Sequence, residues 1–435
     1  MIRTKTLVAL VALLLPVATE AQTMLMPDDA VRIALENNYS IRIARNQATI
    51  AANNVTWGNA GFLPSLDVSA SQNNNIQNAR QVYFTGDINE NDKARSNSIN
   101  LNTALTWTLF DGLAMFTNYQ KLQEFQEMGE LTARMTIEHT IAGVMTSYYD
   151  LVRQKQRLQV IGKTLAISDE RVRLAEEKLL LGAASRLEVL QAQVDYNADH
   201  SEQLNGLETY RTSKIRLNNL LARDINIDFD VAEKISDVVL PEWKTLYDNT
   251  LEANAGLLLN LADNRVANIQ LRELAARRFP RLNLNMGYGF LNSESESGTF
   301  KSNRTWGMNY GVSASMNIFN GFDLNRQVAN ARIVAENAEI ELSDYRARLE
   351  ADLATAYLSL QSKIQLADFE EQNHKVATTN LEIAMERFRL GELSGIELRE
   401  AQKNFLSAES RLITSRYQAR AVEIGLKEIS GRMME

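Results

Sequence analysis

The fold is decided by two similar stretches of sequence, INLNTALTWTLFDG at residues 99–112 and MNYGVSASMNIFNG at residues 308–321. In each stretch apolar residues alternate with small or polar ones, and the alternation ends at an Asp-Gly or Asn-Gly pair. A period of two is typical of a strand that has one apolar face, and the glycine predicts a sharp turn where the strand ends. We therefore expect two long strands, each followed by a turn into the next element.

The chain also contains an internal duplication. A spacing of 209 positions separates Phe110 from Phe319, and it also separates Tyr148 from Tyr357, Gly182 from Gly391, Glu188 from Glu397 and Gln193 from Gln402. Nearer the start of each repeat the spacing is 216, as between Pro64 and Pro280. A repeat of this kind indicates that one structural unit is used twice. We expect a first repeat at residues 22–222, a linker at 223–241 and a second repeat at 242–435.

The spacing of apolar residues predicts the same order of elements in each repeat, namely a helix, two strands, a very long helix and a shorter helix. The expected helices are 28–61, 112–181 and 185–222 in the first repeat and 242–278, 321–390 and 394–430 in the second. The expected strands lie at about 65–75, 98–110, 281–291 and 304–319, and the polar stretches Gln72–Asn97 and Asn292–Asn303 predict exposed loops. Each long helix would measure ~105 Å, so we expect two short helices end to end beside it.

The N-terminus has the features of a secretory signal peptide. Arg3 and Lys5 precede a short apolar run at Leu7–Leu15, and small residues follow up to Ala21. This order predicts export and cleavage after Ala21, which makes residues 1–21 a signal peptide.

The composition excludes several classes of function. The chain has no cysteine and three histidines that lie far apart, so we predict neither thiol chemistry nor a metal site, and no cofactor. The net charge of −8 gives no support for a nucleic-acid-binding surface. An outer-membrane enzyme is disfavoured because no constellation of catalytic residues is visible.

Four strands of about ten residues have the length of tilted membrane-spanning strands, but four strands cannot close into a barrel. An open sheet edge in lipid would leave backbone groups unpaired. Two copies would give eight strands, whose interior is normally filled, whereas three copies give twelve strands and a lumen. We therefore predict a homotrimer in contact with outer-membrane lipid. The alternative is an exported periplasmic coiled-coil adaptor or scaffold without a membrane barrel.

The residues resemble the outer-membrane efflux proteins, which are the TolC-like outer-membrane factors. The resemblance covers essentially the whole mature chain and rests on the duplication, the entry FLPSL at 62–66, the two strand-to-helix junctions and the run RFRLG at 387–391. It implies a mixed α and β fold, mainly long antiparallel α-helices in a helical barrel, with four strands per protomer in a trimeric 12-stranded transmembrane β-barrel. The helical part would lie in the periplasm, with residues 223–241 in an equatorial girdle.

The same resemblance implies a function and partners. The protein would be the exit duct of a tripartite efflux pump or a type I secretion system. It would conduct substrate passively and would dock on a periplasmic adaptor protein and on an inner-membrane pump or ABC-type transporter.

The residues after the long helices are the candidate functional site. Gly182 and Gly391 predict tight turns, and the pairs Ser185 with Glu188 and Ser394 with Glu397 predict capping boxes at the following helices. Glu400 lies on the same helical face as Glu397. By resemblance, Glu397 and Glu400 match the acidic residues that narrow the tunnel entrance, and three copies would form a ring of six carboxylates. The alternative is that both glutamates only cap or solvate the helix.

The strands carry aromatic residues that are candidates for contact with lipid. They are Trp107, Tyr288, Trp306 and Tyr310, all on the apolar positions of the alternation. Aromatic residues are enriched at membrane interfaces, so we expect an aromatic girdle; ordinary packing within the sheet is the alternative.

Overall fold

The structure is a computed structural model that describes residues 24–297 and 300–433. The predicted signal peptide, residues 1–21, lies outside the described residues. The elements of the first repeat are α1 (Pro27–Asn37), α2 (Tyr39–Asn53), α3 (Trp57–Ala60), β1 (Ser65–Val82), β2 (Ile88–Phe110), α4 (Ala114–Leu180) and α5 (Arg186–Leu220). Those of the second repeat are α6 (Trp243–Ala253), α7 (Ala255–Ala276), β3 (Arg281–Ser295), β4 (Ser302–Ser315), α8 (Asp323–Arg389) and α9 (Gly395–Ile429).

The chain forms two compact units, and each contains residues from both repeats. The first unit consists of Met1–Tyr39, Thr140–Leu240 and Ala356–Leu426, and its described residues begin at Met24. The second unit consists of Ser40–His139, Pro241–Thr355 and Lys427–Glu435. All four strands therefore belong to the second unit, and both turns between a long and a shorter helix belong to the first.

The two long helices, α4 and α8, are each 67 residues long and contain no proline. They begin two residues later than predicted because the preceding residues adopt positive φ angles. These angles are 76° at Gly112, 72° at Leu113, 64° at Gly321 and 63° at Phe322. A left-handed backbone cannot continue into a right-handed helix, so the turn uses two residues before the helix starts.

The prediction of single helices at 28–61 and 242–278 is wrong. The first is divided into α1, α2 and α3, and the second into α6 and α7. The break falls at Asn38 and at Asn254, where ψ is 128° and 112°. The Asn38 amide donates to the carbonyl oxygen of Leu220 at 2.8 Å, and the Asn254 amide donates to that of Ile429 at 2.8 Å. Asparagine side chains compete with the helical backbone for hydrogen bonds, and these two bind distant carbonyls instead.

The four strands form one antiparallel sheet in the order β1-β2-β3-β4. Three strands are longer than predicted. The predicted loop Gln72–Asn97 is for the most part paired strand, and the predicted loop Asn292–Asn303 begins and ends with strand residues, at 292–295 and 302–303. For example, Gln72 pairs with Ile99, and Val82 pairs with Ile88 across a short turn. These segments are polar on both faces, so backbone pairing forms the strand without any apolar alternation to mark it.

Strand β4, by contrast, ends at Ser315 and not at residue 319. Ser315 pairs with Arg281, the first residue of β3. The residue before Arg281 is Pro280, which has no amide hydrogen to donate, so the ladder stops there.

The register places the apolar residues of all four strands on one face. Leu66 lies opposite Leu105, which lies opposite Met286, which lies opposite Tyr310. The other face carries mainly Asn, Ser, Thr and Gly. The sheet therefore presents one continuous apolar band and one polar face.

A second apolar region lies in the first unit, where α4, α8 and α9 meet near the turn. Its buried members include Val160, Leu381, Phe388, Leu398 and Phe405. Burial of a side chain of this size contributes about 1.5–3 kcal/mol, so this cluster fixes the turn between α8 and α9. Among the described residues, no helix has both the length and the apolar character needed to cross a membrane.

Candidate functional site

Two tight turns connect the helices of the first unit, one between α4 and α5 and one between α8 and α9. Gly182 has a φ of 70° and Gly391 a φ of 78°. The Gly182 amide donates to the carbonyl of Leu179 at 3.0 Å, and the Gly391 amide donates to that of Phe388 at 3.1 Å. These bonds satisfy carbonyls at the ends of α4 and α8. Both glycines therefore serve the left-handed turn.

The helix after the second turn begins with a complete capping box. The amide and the hydroxyl of Ser394 donate to Glu397 Oε2 at 2.9 and 2.8 Å, and the Glu397 amide donates to Ser394 Oγ at 3.3 Å. After the first turn, the Glu188 amide donates to Ser185 Oγ at 3.2 Å. Within the described chain, the return bond from Ser185 to the Glu188 carboxylate is not formed. The two repeats thus share the cap but differ in the use of the glutamate.

The capping box also affects the charge of Glu397. Hydrogen bonds from the Ser394 amide and hydroxyl to the carboxylate lower the pKa of Glu397, and the charge of Arg387 acts in the same direction. Glu397 is therefore ionised at neutral pH and held in a fixed position at the start of α9.

Glu397 and Glu400 line one groove between α8 and α9, with a volume of about 780 Å³. Arg387 and Lys375 lie on the same groove. Glu400 is exposed and has no ion-pair partner in the described part of the chain. The structure thus brings both predicted glutamates to one surface, whereas Glu188 does not line this groove.

A buried charged cluster joins α4, α5 and α9 in the first unit. Arg399 donates two hydrogen bonds to Asp199, at 2.7 and 2.9 Å, and its Nε lies 3.6 Å from Asp195 Oδ1. Asp195 in turn forms an ion pair with Arg171. The side chains of Arg399 and Asp199 are 14% and 11% exposed. Burial acts to lower the pKa of Arg399, but its hydrogen bonds to Asp199 and the two aspartate charges outweigh this effect and raise it.

Neutral groups complete this cluster. Ser168 donates to Asp199 at 2.5 Å, and the fully buried Gln402 donates to Ser168 Oγ at 2.8 Å and to the carbonyl of Thr164 at 2.9 Å. Hydrogen bonds of this kind offset the cost of burying a charged pair. The cluster therefore fastens α9 to the hairpin formed by α4 and α5.

Sequence reasoning missed this cluster, although the duplication carries a signal of it. At the spacing of 209, Arg171, Asp195, Asp199 and Arg399 correspond to Asn380, Asn404, Ala408 and Leu190. Each of the four charged residues therefore has a neutral residue at the equivalent position of the other repeat. That asymmetry marks the positions, but it does not show that residues about 200 positions apart are in contact.

The linker between the repeats is attached to α4. Asp230 accepts a hydrogen bond from the Leu25 amide at 2.8 Å. The buried Tyr148 donates to the Leu25 carbonyl at 2.9 Å and accepts from the Ala232 amide at 3.2 Å. Burial raises the pKa of Tyr148. This tyrosine therefore ties the start of the described chain and the linker to one point on α4.

The four candidate aromatic residues share the apolar face of the sheet. All four are exposed there, Trp107 least at 37%, and Trp107 donates its Nε1 hydrogen to the carbonyl of Phe62 at 2.9 Å. Trp107 thus has a local packing role in addition to its place on this face. No group of three or more His, Asp or Glu residues that could hold a metal occurs within residues 24–297 and 300–433.

Comparison with known proteins identifies the family. The family model described as outer membrane efflux protein matches residues 30–223 and 246–432. The chain belongs to this family. The predicted family, the outer-membrane location with a periplasmic helical part and the role of an efflux channel are therefore confirmed. The family is one of transport proteins and not of enzymes, which favours the channel over a periplasmic scaffold.

Known relatives match this efflux protein over most of their length. Nodulation protein T of Rhizobium leguminosarum bv. trifolii is 21% identical over 406 residues, which are 90% of this chain and 81% of the relative. The outer membrane efflux protein BepC of Brucella suis biovar 1 is 20% identical over 407 residues, 92% of this chain and 84% of BepC.

Two solved structures have a similar fold. The CmeC outer membrane channel of Campylobacter jejuni has a TM-score of 0.76 at 18% identity, covering 94% of this chain and 86% of CmeC. The outer membrane protein VceC of Vibrio cholerae has a TM-score of 0.73 at 16% identity, covering 93% of this chain and 96% of VceC. The predicted mixed fold, with long helices and a four-stranded sheet, is confirmed.

Proposed function

We propose that three copies of this efflux protein form one barrel and one passive exit duct. The observation that carries the proposal is the four-stranded sheet, which has one apolar face and two outer edges, on β1 and β4. Unpaired backbone groups in lipid cost several kcal/mol each, so further copies must cover both edges. Twelve strands enclose a lumen, and the small polar residues of the other face suit contact with water.

The proposed duct passes substrate without covalent chemistry, and a partner pump supplies the energy. Exposed apolar residues at both turns support docking of a periplasmic adaptor there. They include Leu180 and Leu181 at the first turn and Leu390 and Ile396 at the second, all at least 67% exposed. Clusters of exposed apolar side chains are typical of protein interaction sites. An inner-membrane pump or ABC-type transporter would complete the assembly through the adaptor.

We further propose that Glu397 and Glu400 form an acidic constriction at the entrance. Three-fold symmetry would bring six carboxylates together, and such a ring attracts cations. Glu397 is ionised and fixed by its capping box, while Glu400 is exposed on the same groove. The capping role and the entrance role are therefore compatible in Glu397.

Two measurements test these proposals separately. Native mass spectrometry in mild detergent is expected to give the mass of three chains, and a stable, water-soluble single chain would disprove the duct. In planar bilayers, Glu397→Gln with Glu400→Gln should weaken the block of conductance by trivalent lanthanum ions. Glutamine keeps the capping hydrogen bond but removes the charge. Glu188→Gln is the matched control from the other repeat, and unchanged block in the double variant would rule out the acidic constriction.

A further inference from the structure

The sheet repeats its own register. Strand β3 corresponds to β1 at a spacing of 216, and β4 corresponds to β2 at a spacing of 209. When these spacings are applied to the pair Leu66 and Leu105 of the first hairpin, they give Leu282 and Ala314, which is an observed pair of the second hairpin. The same agreement holds from Ser65 to Gln77 of β1. The duplication therefore conserves the backbone pairing and not only the order of the strands.

The central ladder, between β2 and β3, joins the second strand of the first repeat to the first strand of the second repeat. Its equivalent would join β4, the second strand of the second repeat, to β1, the first strand of a first repeat. Within the described chain β4 has β3 as its one neighbour, and β1 has β2. The outer edge of β4 can therefore form the equivalent of the central ladder with β1 of another copy.

We propose that β4 of one copy pairs antiparallel with β1 of a second copy in the register that sets Ala314 opposite Ala70 of the partner subunit. This register follows from the observed pair Leu105 and Met286 by the spacings of 209 and 216. It also sets Ser313 opposite the partner's Ser71, and Met308 opposite the partner's Ile76. The proposal rests on the proposed function, because it describes the seam by which three sheets close into one barrel.

The two faces of the sheet give independent support. On β1 the residues of the apolar face have even numbers, such as Leu66 and Val68, and on β4 they also have even numbers, such as Tyr310 and Val312. The proposed register pairs even numbers with even numbers, so the apolar band continues across the seam. A slip of one residue would turn every side chain of one strand to the opposite face.

The end of β4 gives a second line of support. In β2, Trp107, Thr108 and Phe110 pair with β3 alone, because the ladder with β1 reaches no further than Thr106. Their equivalents in the second repeat are Met316, Asn317 and Phe319, which follow the last residue of β4 and lie outside any ladder of the described chain. Met316 and Phe319 are 58% and 72% exposed.

The proposed register supplies the missing neighbours. It sets Met316 opposite the partner's Val68. If the one-residue shift observed between Thr108 and Phe110 of β2 is repeated here, it also sets Phe319 opposite the partner's Leu66. The alternating sequence up to Ile318 therefore becomes a strand when the second copy binds. The apparent shortness of β4 in a single chain is a consequence of the absent neighbour on its outer edge.

Cysteine cross-linking tests the register, since the chain has no cysteine of its own. Ala314→Cys combined with Ala70→Cys should form disulfides between copies and give a covalent trimer on a non-reducing gel. Opposite residues of an antiparallel pair lie about 4.5–5.5 Å apart, within the range that a disulfide bridges. Within one chain, β1 and β4 are separated by two strands, or about 14 Å, so an open sheet cannot form this disulfide internally.

Matched controls are Ala314→Cys combined with Val68→Cys or with Gln72→Cys, which represent slips of two residues on the same face. Diagonal neighbours lie about 7–8 Å apart, so these pairs should cross-link at least about tenfold more slowly. Ser313→Cys with Ser71→Cys tests the same register on the polar face, and Ala314→Cys alone tests for random collision.

The outcomes separate this proposal from the duct itself. Faster cross-linking of a control pair would overturn the register while leaving the trimer intact. A trimeric native mass without cross-linking of either Ala314→Cys with Ala70→Cys or Ser313→Cys with Ser71→Cys would show that β4 and β1 do not form the seam. A monomeric native mass for the unmodified chain would contradict the proposed function as well.

Discussion

Removal of Arg399 should release α9 from the hairpin of α4 and α5. Arg399→Leu leaves Asp199 buried with Ser168 as its remaining donor in the cluster. Removal of one member of a buried ion pair costs about 3–5 kcal/mol, and both side chains here are buried deeply enough for that range to apply. Each 1.4 kcal/mol is a factor of about ten, so the local opening equilibrium should rise at least about a hundredfold.

Hydrogen exchange followed by mass spectrometry measures this opening directly in peptides of α5 and α9. The double variant Arg399→Leu with Asp199→Ala carries the residues found at the equivalent positions of the other repeat, Leu190 and Ala408. It removes both charges, so exchange should return to within about tenfold of the unmodified protein. Arg157→Leu is the control, because its pair with Glu202 also joins α4 and α5 but is half exposed, and such pairs contribute about 1 kcal/mol or less.

Two results would refute this reasoning. One is an Arg399→Leu variant that exchanges no faster than the Arg157→Leu control. The other is a double variant that exchanges as fast as Arg399→Leu, since the loss would then come from packing and not from an unpaired buried charge.

Two further predictions concern the turns. Gly112→Ala should reduce the yield of folded protein in the membrane far more than Gly321→Ala. Both glycines have a positive φ, but a Cβ at Gly112 would lie 2.4 Å from the carbonyl oxygen of Ala276, while a Cβ at Gly321 would meet open space. Equal yields of the two variants would contradict this prediction. The carboxylate of Glu397 stabilises the start of α9 above its ordinary pKa of 4.5, and this contribution is lost as the pH falls through its lowered pKa. Because acidification by itself slows the chemical exchange of amides, the quantity to compare is the protection factor, and the protection factors at the start of α9 should fall with acidification. Ser394→Ala should remove that pH dependence, and an unchanged pH profile would contradict the capping role.

The strands and long helices could be predicted because their patterns are local. The alternation of apolar and polar residues from Ile99 to Leu109 is visible in the sequence without reference to the partner strand. The absence of proline from α4 and α8 permits long helices. Where alternation stops, at Gln72–Val82, the strand continues by backbone pairing alone, and side-chain pattern gives no sign of it.

Features that depend on distant residues were not predictable from pattern. The helix breaks at Asn38 and Asn254 depend on the carbonyls of Leu220 and Ile429, about 180 positions away. At the candidate site, the capping residues could be placed from local spacing, whereas the cluster around Arg399 required the contact between the two hairpins.

The hairpin formed by Gln72–Val82 and Ile88–Asn97 has a consequence for tolerance to substitution. Backbone hydrogen bonds hold these two segments together, while their side chains are largely exposed on both faces. Substitutions on such a surface usually change stability by less than about 0.5 kcal/mol. The hairpin can therefore accept varied surface chemistry while its backbone ladder keeps its shape.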